Sequence, residues 1–155
     1  MHPAFKNYVE NLHPAFDKLV SMSPLHIGDG FGDVPEQCIY LFSEGEQYLY
    51  VGRTNHFRNR MKQHSANWAQ HNQAVFAFRL ARQLTGKLTA SYTAEGSRVA
   101  LSTEADFSVA FRGAKQRIRA MDLRFVEEPD PLRQALLEIY VAVALGTRYN
   151  DFDTH

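Results

Sequence analysis

The sequence predicts an α+β fold in which a small antiparallel sheet, made of a hairpin and a third strand, is flanked by helices. Two short runs rich in β-branched and aromatic residues, Cys38–Ser43 and Gln47–Gly52, enclose a loop centred on Gly45, which is typical of a hairpin. Leu123–Glu127 reads as a further short strand, and Leu132–Gly146 carries apolar residues at helical spacing. A chain of 155 residues is long enough to enclose a core of its own.

The first 36 residues predict a helical N-terminal extension followed by a loop. The tetrapeptide His-Pro-Ala-Phe occurs at residues 2–5 and again at residues 13–16, and each proline can open a helical turn. The stretch 23–37 is rich in Gly and Pro, so we expect no regular structure there.

The hairpin is expected to place two tyrosines side by side. Because side chains alternate between the two faces of a strand, one face should carry Ile39, Leu41, Leu49 and Val51, and the other Tyr40, Phe42, Tyr48 and Tyr50. If Gly45 is the centre of a three-residue loop, Tyr40 lies directly opposite Tyr50.

The rest of the chain predicts mostly helices. A helix should follow the hairpin, with Phe57, Met61 and Trp68 on its inner side, and helices are expected at 72–86 and 103–121. The stretch 87–102 has no clear period and is expected to be a loop, and the tail 147–155 to be irregular. We therefore expect residues 37–155 to form the main domain, with 65–122 as a helical insertion.

Composition indicates a globular protein without a membrane-spanning segment. Lys plus Arg and Asp plus Glu number 17 each, so the formal net charge is zero, which counts against strong non-specific binding of DNA. Two basic runs, Arg53–Lys62 and Arg112–Arg119, contain no acidic residue and could each hold a phosphate backbone or simply face solvent. The chain has no run of 18 apolar residues, and its start lacks a secretion signal. With Cys38 as the single cysteine, we expect a cytoplasmic protein.

Two triplets lie on the predicted strands, Cys38-Ile39-Tyr40 on the first and Tyr50-Val51-Gly52 on the second. Arg60 follows eight residues after Gly52, and His64 follows four residues later. This pattern resembles the GIY-YIG nuclease family, in which two such triplets are followed by a helix with an Arg and a His at these positions. The resemblance implies a stand-alone catalytic domain with an insertion, and it extends to a mid-helix Glu138 and a later Asn150. Cys38 departs from the usual glycine, which we interpret as a packing adjustment. A catalytic thiol there is the alternative.

The resemblance implies an endonuclease that cuts DNA by means of an activated water, and RNA stays open as a substrate. Glu138 would hold Mg²⁺ or Mn²⁺, since Mg²⁺ needs only one or two carboxylates besides water and phosphate. Arg60 and His64 are four residues apart and share a helix face, from which Arg60 could stabilise charge on the phosphate.

Two residues compete for the role of general base. The resemblance favours Tyr40, although forming a phenolate at neutral pH costs about 4 kcal/mol. His64 is the rival because an imidazole titrates near neutrality. Tyr50 would orient the water or the phosphate.

A second set of residues is expected to bind the substrate, namely Arg53, Arg58, Lys62 and Asn150. For Asn150, a structural role in holding the C-terminal segment is the favoured interpretation. Taken one by one, each of these side chains could also be an ordinary surface residue, and the two tyrosines an aromatic pair that merely packs. The alternative function is therefore a catalytically inactive GIY-YIG module that binds nucleic acid or a protein partner.

Overall fold

The predicted hairpin and third strand form a three-stranded antiparallel sheet. A computed structural model describes residues 1–87 and 97–152. Strand β1 is Cys38–Glu44, β2 is Gln47–Thr54 and β3 is Asp122–Glu127. The central strand is β1, which pairs with β2 on one side and with β3 on the other. The predicted α+β class and the antiparallel sheet are confirmed.

Helices make up most of the remaining described residues. None of the helices in residues 1–87 and 97–152 combines the length and the apolar character needed to cross a bilayer. A short 3-10 turn lies at Ile27–Asp29. The helices are α1 (Pro3–Glu10), α2 (Leu12–Ser21), α3 (Phe57–Ser65), α4 (Val75–Leu84), α5 (Arg98–Thr103), α6 (Ala105–Ala120) and α7 (Pro131–Leu145).

The chain divides into two compact units. The first contains residues 1–58 and the chain from Met121 onward, and the second contains Asn59–Ala120. The first unit thus holds the sheet, α1, α2 and α7, and the second holds α4, α5, α6 and most of α3. The division into residues 1–36 and 37–155, with an insertion at 65–122, stays a prediction.

The core of the first unit lies between one face of the sheet and two helices. It is made of apolar side chains from α2, β1, β2, β3 and α7: Leu12, Leu19, Ile39, Leu41, Val51, Val126, Leu137, Val141 and Ala142. Helix α7 has a strong start, because the carboxylate of Asp130 accepts the N–H groups of Leu132 and Arg133 at 2.9 Å each. It ends at Gly146, whose φ of 61° is the left-handed conformation that glycine adopts easily.

The second unit has an aromatic core. Phe78 of α4 and Phe107 of α6 pack with Ala81 and Leu101, and the two phenyl rings lie 4.9 Å apart. Because these helices bury their apolar faces against one another, the unit has a hydrophobic centre of its own.

Several boundaries in the second unit differ from the sequence expectations. Helix α3 ends at Ser65, so Trp68 lies beyond it and is 58% exposed instead of facing inward. Residues 70–74 form turns, and α4 therefore begins at Val75 and not near residue 72. The expected loop at 87–102 is wrong for residues 98–102, which belong to helix α5, while residues 88–96 of that loop lie outside the described residues.

His26 joins the loop before the sheet to β3 through two acidic residues. Its Nδ1 lies 3.2 Å from the carboxylate of Asp29, and its Nε2 lies 3.0 Å from that of Asp122. Hydrogen bonds to Asp122 and Asp29 raise the pKa of His26 above its usual value of 6.5. The protonated ring is therefore favoured in the folded state.

We expect His26→Gln to destabilise the protein at acidic pH and to have little effect at alkaline pH. The raised folded pKa makes the stabilisation complete below about pH 6.5, the unfolded value, and removes it as pH rises through the folded value. Urea unfolding at pH 5.5 and pH 8.5 measures this, with His56→Gln, an exposed histidine, as the control. An equal loss of stability at both pH values would contradict the assignment.

Candidate active site

The register of the hairpin places the two predicted tyrosines diagonally. Tyr40 pairs with Gly52, and Tyr50 pairs with Phe42, so the expected direct pairing of Tyr40 with Tyr50 is wrong. Glu44 pairs with Gln47, so the turn has two residues instead of the expected three. The observed register therefore differs from the expected one by one residue near the turn. An irregularity between Phe42 and Ser43 moves it by one more. A shift of two keeps the faces, and the two tyrosine rings still lie 6.4 Å apart.

The same irregularity changes the partners near the turn. Ser43 pairs with Tyr48, so Tyr48 packs against the core with Ile39 and Leu41 and not beside Tyr50. Leu49 is an extra residue in β2, and the register gives it no pairing partner on β1. The expected side-chain faces therefore hold for the main part of the hairpin and fail next to the turn.

Gly52 is required by the position of Tyr40. A Cβ atom added to Gly52 would lie 2.5 Å from Cζ of Tyr40 and would also overlap its hydroxyl oxygen. Tyr40 is only 1% exposed, so its ring has little room to move aside. The glycine of the second triplet therefore allows the tyrosine of the first triplet to lie across β2.

Helix α7 brings Glu138 to the same strand. The Nε atom of Arg53 on β2 donates to Oε2 of Glu138 at 3.1 Å, and the Glu138 side chain is 21% exposed. Its neighbour Leu137 packs in the core against Val51. The predicted metal ligand is thus held beside β2 by an ion pair that the sequence analysis did not foresee.

Glu138 reaches β2 from helix α7, whereas Tyr40 and Tyr50 belong to the hairpin itself. Ile39, Leu41 and Val51 face α7, and Tyr40 and Tyr50 alternate with them along the strands. Tyr40 pairs with Phe125 of β3, which contacts Phe57 at the start of α3 at 4.8 Å. Tyr40, Tyr50 and Glu138 are therefore all brought to β2, which is an edge strand of the sheet.

Arg60 and His64 belong to the second unit. One nitrogen of Arg60 donates to the side chain of Gln63 at 3.0 Å and to the carbonyl of Gln73 at 2.9 Å. His64 is fully buried, and its ring lies 6.4 Å from that of Phe76. Burial, and then the charge of Arg60, hold the pKa of His64 well below its usual value, so the ring is neutral at physiological pH.

The predicted substrate-binding residues differ in their surroundings. Arg53, Arg58 and Lys62 are exposed, although Arg58 donates to the carbonyls of Phe31 and Gly32. The amide of Asn150 makes two hydrogen bonds with the backbone of Val51, at 2.8 and 2.9 Å, and so covers the free edge of β2. This geometry fits the structural role that the sequence favoured for Asn150.

Cys38 is buried at the start of β1. Burial, and to a smaller extent Glu36, raise the pKa of its thiol to about 12. A thiolate is the form that attacks a substrate, and it would be scarce at neutral pH. This speaks against a catalytic thiol and fits the interpretation of Cys38 as a packing residue.

The donor groups suit a metal held by few protein ligands. In the described part of the chain, no three His, Cys, Asp or Glu side chains are grouped as they are in zinc or calcium sites. Glu138 offers a partly exposed carboxylate, and Mg²⁺ commonly takes one or two carboxylates and completes its shell with water and phosphate. The residues present fit Mg²⁺ or Mn²⁺ at Glu138.

The family comparison agrees with the hairpin geometry. Residues 36–98 match the model of the GIY-YIG catalytic domain. That match covers β1, β2, α3 and α4, and it includes both triplets as well as Arg60 and His64. Comparisons with curated proteins and with solved structures give no match. Residues 36–98 thus match the catalytic domain of the GIY-YIG family, a family of the nuclease type.

We expect Gly52→Ala to lower the free energy of unfolding by about 1–3 kcal/mol, because the new methyl group overlaps the buried ring of Tyr40. Gly113→Ala is the matched control. It lies within α6 with nothing within 4 Å of the added Cβ, and alanine there should stabilise the helix by roughly 0.5–1 kcal/mol. Urea denaturation of both variants measures the difference. Equal stability of the two variants would show that Tyr40 does not lie over Gly52.

Proposed function

We propose that the protein is a metal-dependent endonuclease that hydrolyses phosphodiester bonds of DNA with an activated water. The observation that carries the proposal is the arrangement around β2 in a GIY-YIG domain: Tyr50 lies on this strand, Tyr40 packs across its Gly52, and Glu138 is paired with its Arg53. A buried, free Cys38 is also compatible with the reducing cytoplasm that we propose as its compartment.

Glu138 is the proposed metal ligand, and we propose that the metal replaces Arg53 as the partner of its carboxylate. Bound Mg²⁺ would polarise the scissile phosphate and lower the pKa of a water. In the free protein the guanidinium of Arg53 neutralises the Glu138 carboxylate. A cation on the carboxylate would leave the Arg53 side chain able to donate hydrogen bonds to a phosphate oxygen. Arg53 and Glu138 would then hold a phosphate together with its cation.

Tyr40 is the proposed general base. After its hydroxyl has lost its proton to solvent, the phenolate oxygen would accept a proton from the attacking water, and Tyr50 would orient that water. His64 is neutral and could accept a proton, and its ring is buried, as that of Tyr40 is. We propose Tyr40 as the base because it lies on Gly52 of the second triplet, next to Tyr50, and we propose that Arg60 stabilises the phosphate charge.

The variant Glu138→Gln is expected to lose metal-dependent cleavage by at least about a hundredfold while staying folded. The amide cannot replace the carboxylate as a ligand, and a partly exposed ion pair contributes only about 0–1 kcal/mol to stability. Cleavage of supercoiled, branched and single-stranded DNA and of RNA in Mg²⁺ and Mn²⁺ measures this. The control Glu10→Gln breaks the exposed pair with Lys6. Undiminished cleavage by Glu138→Gln would reject Glu138 as the metal ligand.

Tyr40→Phe is expected to reduce cleavage by about 10²–10⁴-fold, the usual contribution of a general base. The phenyl ring keeps the packing on Gly52, so the variant should stay folded, which its thermal unfolding checks. The matched control is Tyr48→Phe, which removes a hydroxyl on the opposite face of the hairpin. Full activity of Tyr40→Phe would exclude this tyrosine as the base.

A catalytically inactive binding module is the second candidate, and one observation favours it. Tyr40, Tyr50 and His64 are all buried, so a proton acceptor would have to become accessible when the substrate binds. Binding of DNA in gel shifts, with no cleavage of any of the substrates above in either metal, would support the module and end the nuclease proposal.

A further inference from the structure

The net charge of the chain is zero, but its two units carry large and opposite net charges. Residues 59–120 contain ten Lys and Arg and three Asp and Glu, a formal charge of +7, and the rest of the chain carries −7. A polyanion such as nucleic acid is attracted to the basic unit and repelled by the acidic one. Contacts with nucleic acid are therefore expected mainly on the second unit.

That unit contains a groove with an exposed aromatic ring. Its volume is about 440 Å³, which lies within the range of small-ligand sites. Trp68 is 58% exposed at the groove, a large exposed fraction for the only tryptophan of the chain. Side chains from the loop after α3, from α5 and from α6 line the groove, among them Trp68, His71, Val99, Ser108, Phe111 and Arg112.

The loop that carries Trp68 is anchored on both sides of this residue. The buried ammonium group of Lys115 on α6 donates to the carbonyl of Asn67 at 3.2 Å and to that of Ala69. It also lies 4.2 Å from the centre of the Phe111 ring. Because the backbone on both sides of Trp68 is anchored, the attachment point of the exposed indole is fixed at the groove.

The far end of the loop is anchored as well. Gln73 accepts the N–H of Gln70 through its side chain at 3.0 Å, and its carbonyl accepts a hydrogen bond from Arg60. Arg112, exposed on α6, supplies a cation at the groove. An exposed indole and an arginine in one groove are a combination that can bind a base by stacking and its phosphate by charge.

We propose that this groove binds an unstacked nucleobase in a single-stranded segment of the substrate, with Trp68 stacking on the base and Arg112 holding the adjacent phosphate. The inference deepens the nuclease proposal, because it implies a substrate with unpaired nucleotides. An intact duplex keeps the faces of its bases covered by their neighbours, so it offers no ring to Trp68. The +7 charge favours a nucleic acid over a neutral protein segment as the occupant.

Fluorescence of the wild-type chain tests the proposal directly, since Trp68 is the single tryptophan. The protein is titrated in EDTA, where a metal-dependent cleavage cannot occur, with a 12-nucleotide strand of thymidines, a duplex of equal length and an abasic strand. We expect the thymidine strand to quench Trp68 and the other two to have little effect. Equal quenching by all three would show that the indole does not recognise a base.

Binding by variants gives a second readout. We expect Trp68→Ala to weaken binding of the labelled single strand by about tenfold or more, as loss of one stacking partner does, and to leave duplex binding unchanged. Phe5→Ala removes a similarly exposed aromatic residue from the acidic unit and is the matched control. Unchanged affinity of Trp68→Ala for the single strand overturns the proposal.

The two proposals can fail separately. Selective quenching without cleavage in Mg²⁺ or Mn²⁺ would end the nuclease proposal and leave the groove as a single-strand binding site. Cleavage with the same rate in wild type and Trp68→Ala on a substrate with unpaired nucleotides, together with no quenching, would end the groove proposal alone.

Discussion

The contact between the Tyr40 ring and Gly52 fixes the arrangement of the hairpin on which the candidate site depends. The ring can lie there only because residue 52 has no side chain and because the register brings the two residues opposite one another. That register results from the two-residue turn after Glu44 and the additional Leu49 in β2. With Tyr40 in place, β2 offers Tyr50 on one face and Arg53 on the other, and the Asn150 amide closes the edge at Val51. Movement of this strand would disturb all of these contacts together.

Because the two units carry opposite net charges, they interact differently with cations and with a polyanion. The acidic unit holds Glu138, the proposed metal ligand, which pairs with Arg53, while the basic unit holds most of the positive charge of the chain. A substrate drawn to the second unit would still need a cation to approach Glu138, because like charges repel. The neutral composition had counted against nucleic-acid binding, but a net charge sums over regions that act separately on a bound polyanion.

Regular elements were predictable from the sequence where local patterns decide them, and irregular ones were not. The strands, α6 and α7 follow from apolar spacing and from end signals such as Asp130 and Gly146, which act within a few residues. The bulge at Leu49 and the early end of α3 at Ser65 depend on distant packing, so Tyr48 and Trp68 were placed wrongly. The spacing of the triplets was enough to predict which residues of the hairpin belong to the candidate site. The pairing of Arg53 with Glu138 needed the docking of α7, which no local pattern contains. The catalytic roles themselves stay predictions.

The central claim is that a divalent cation binds at Glu138 beside β2. Line broadening of backbone amide signals by Mn²⁺ in nuclear magnetic resonance spectra tests it most directly, because the effect falls steeply with distance from the ion. The account predicts that signals of Gly52, Arg53 and the residues around Glu138 broaden first, and that Glu138→Gln abolishes this pattern. Broadening centred on another acidic group, such as Asp29 and Asp122, or a pattern that survives in the Glu138 variant, would contradict it.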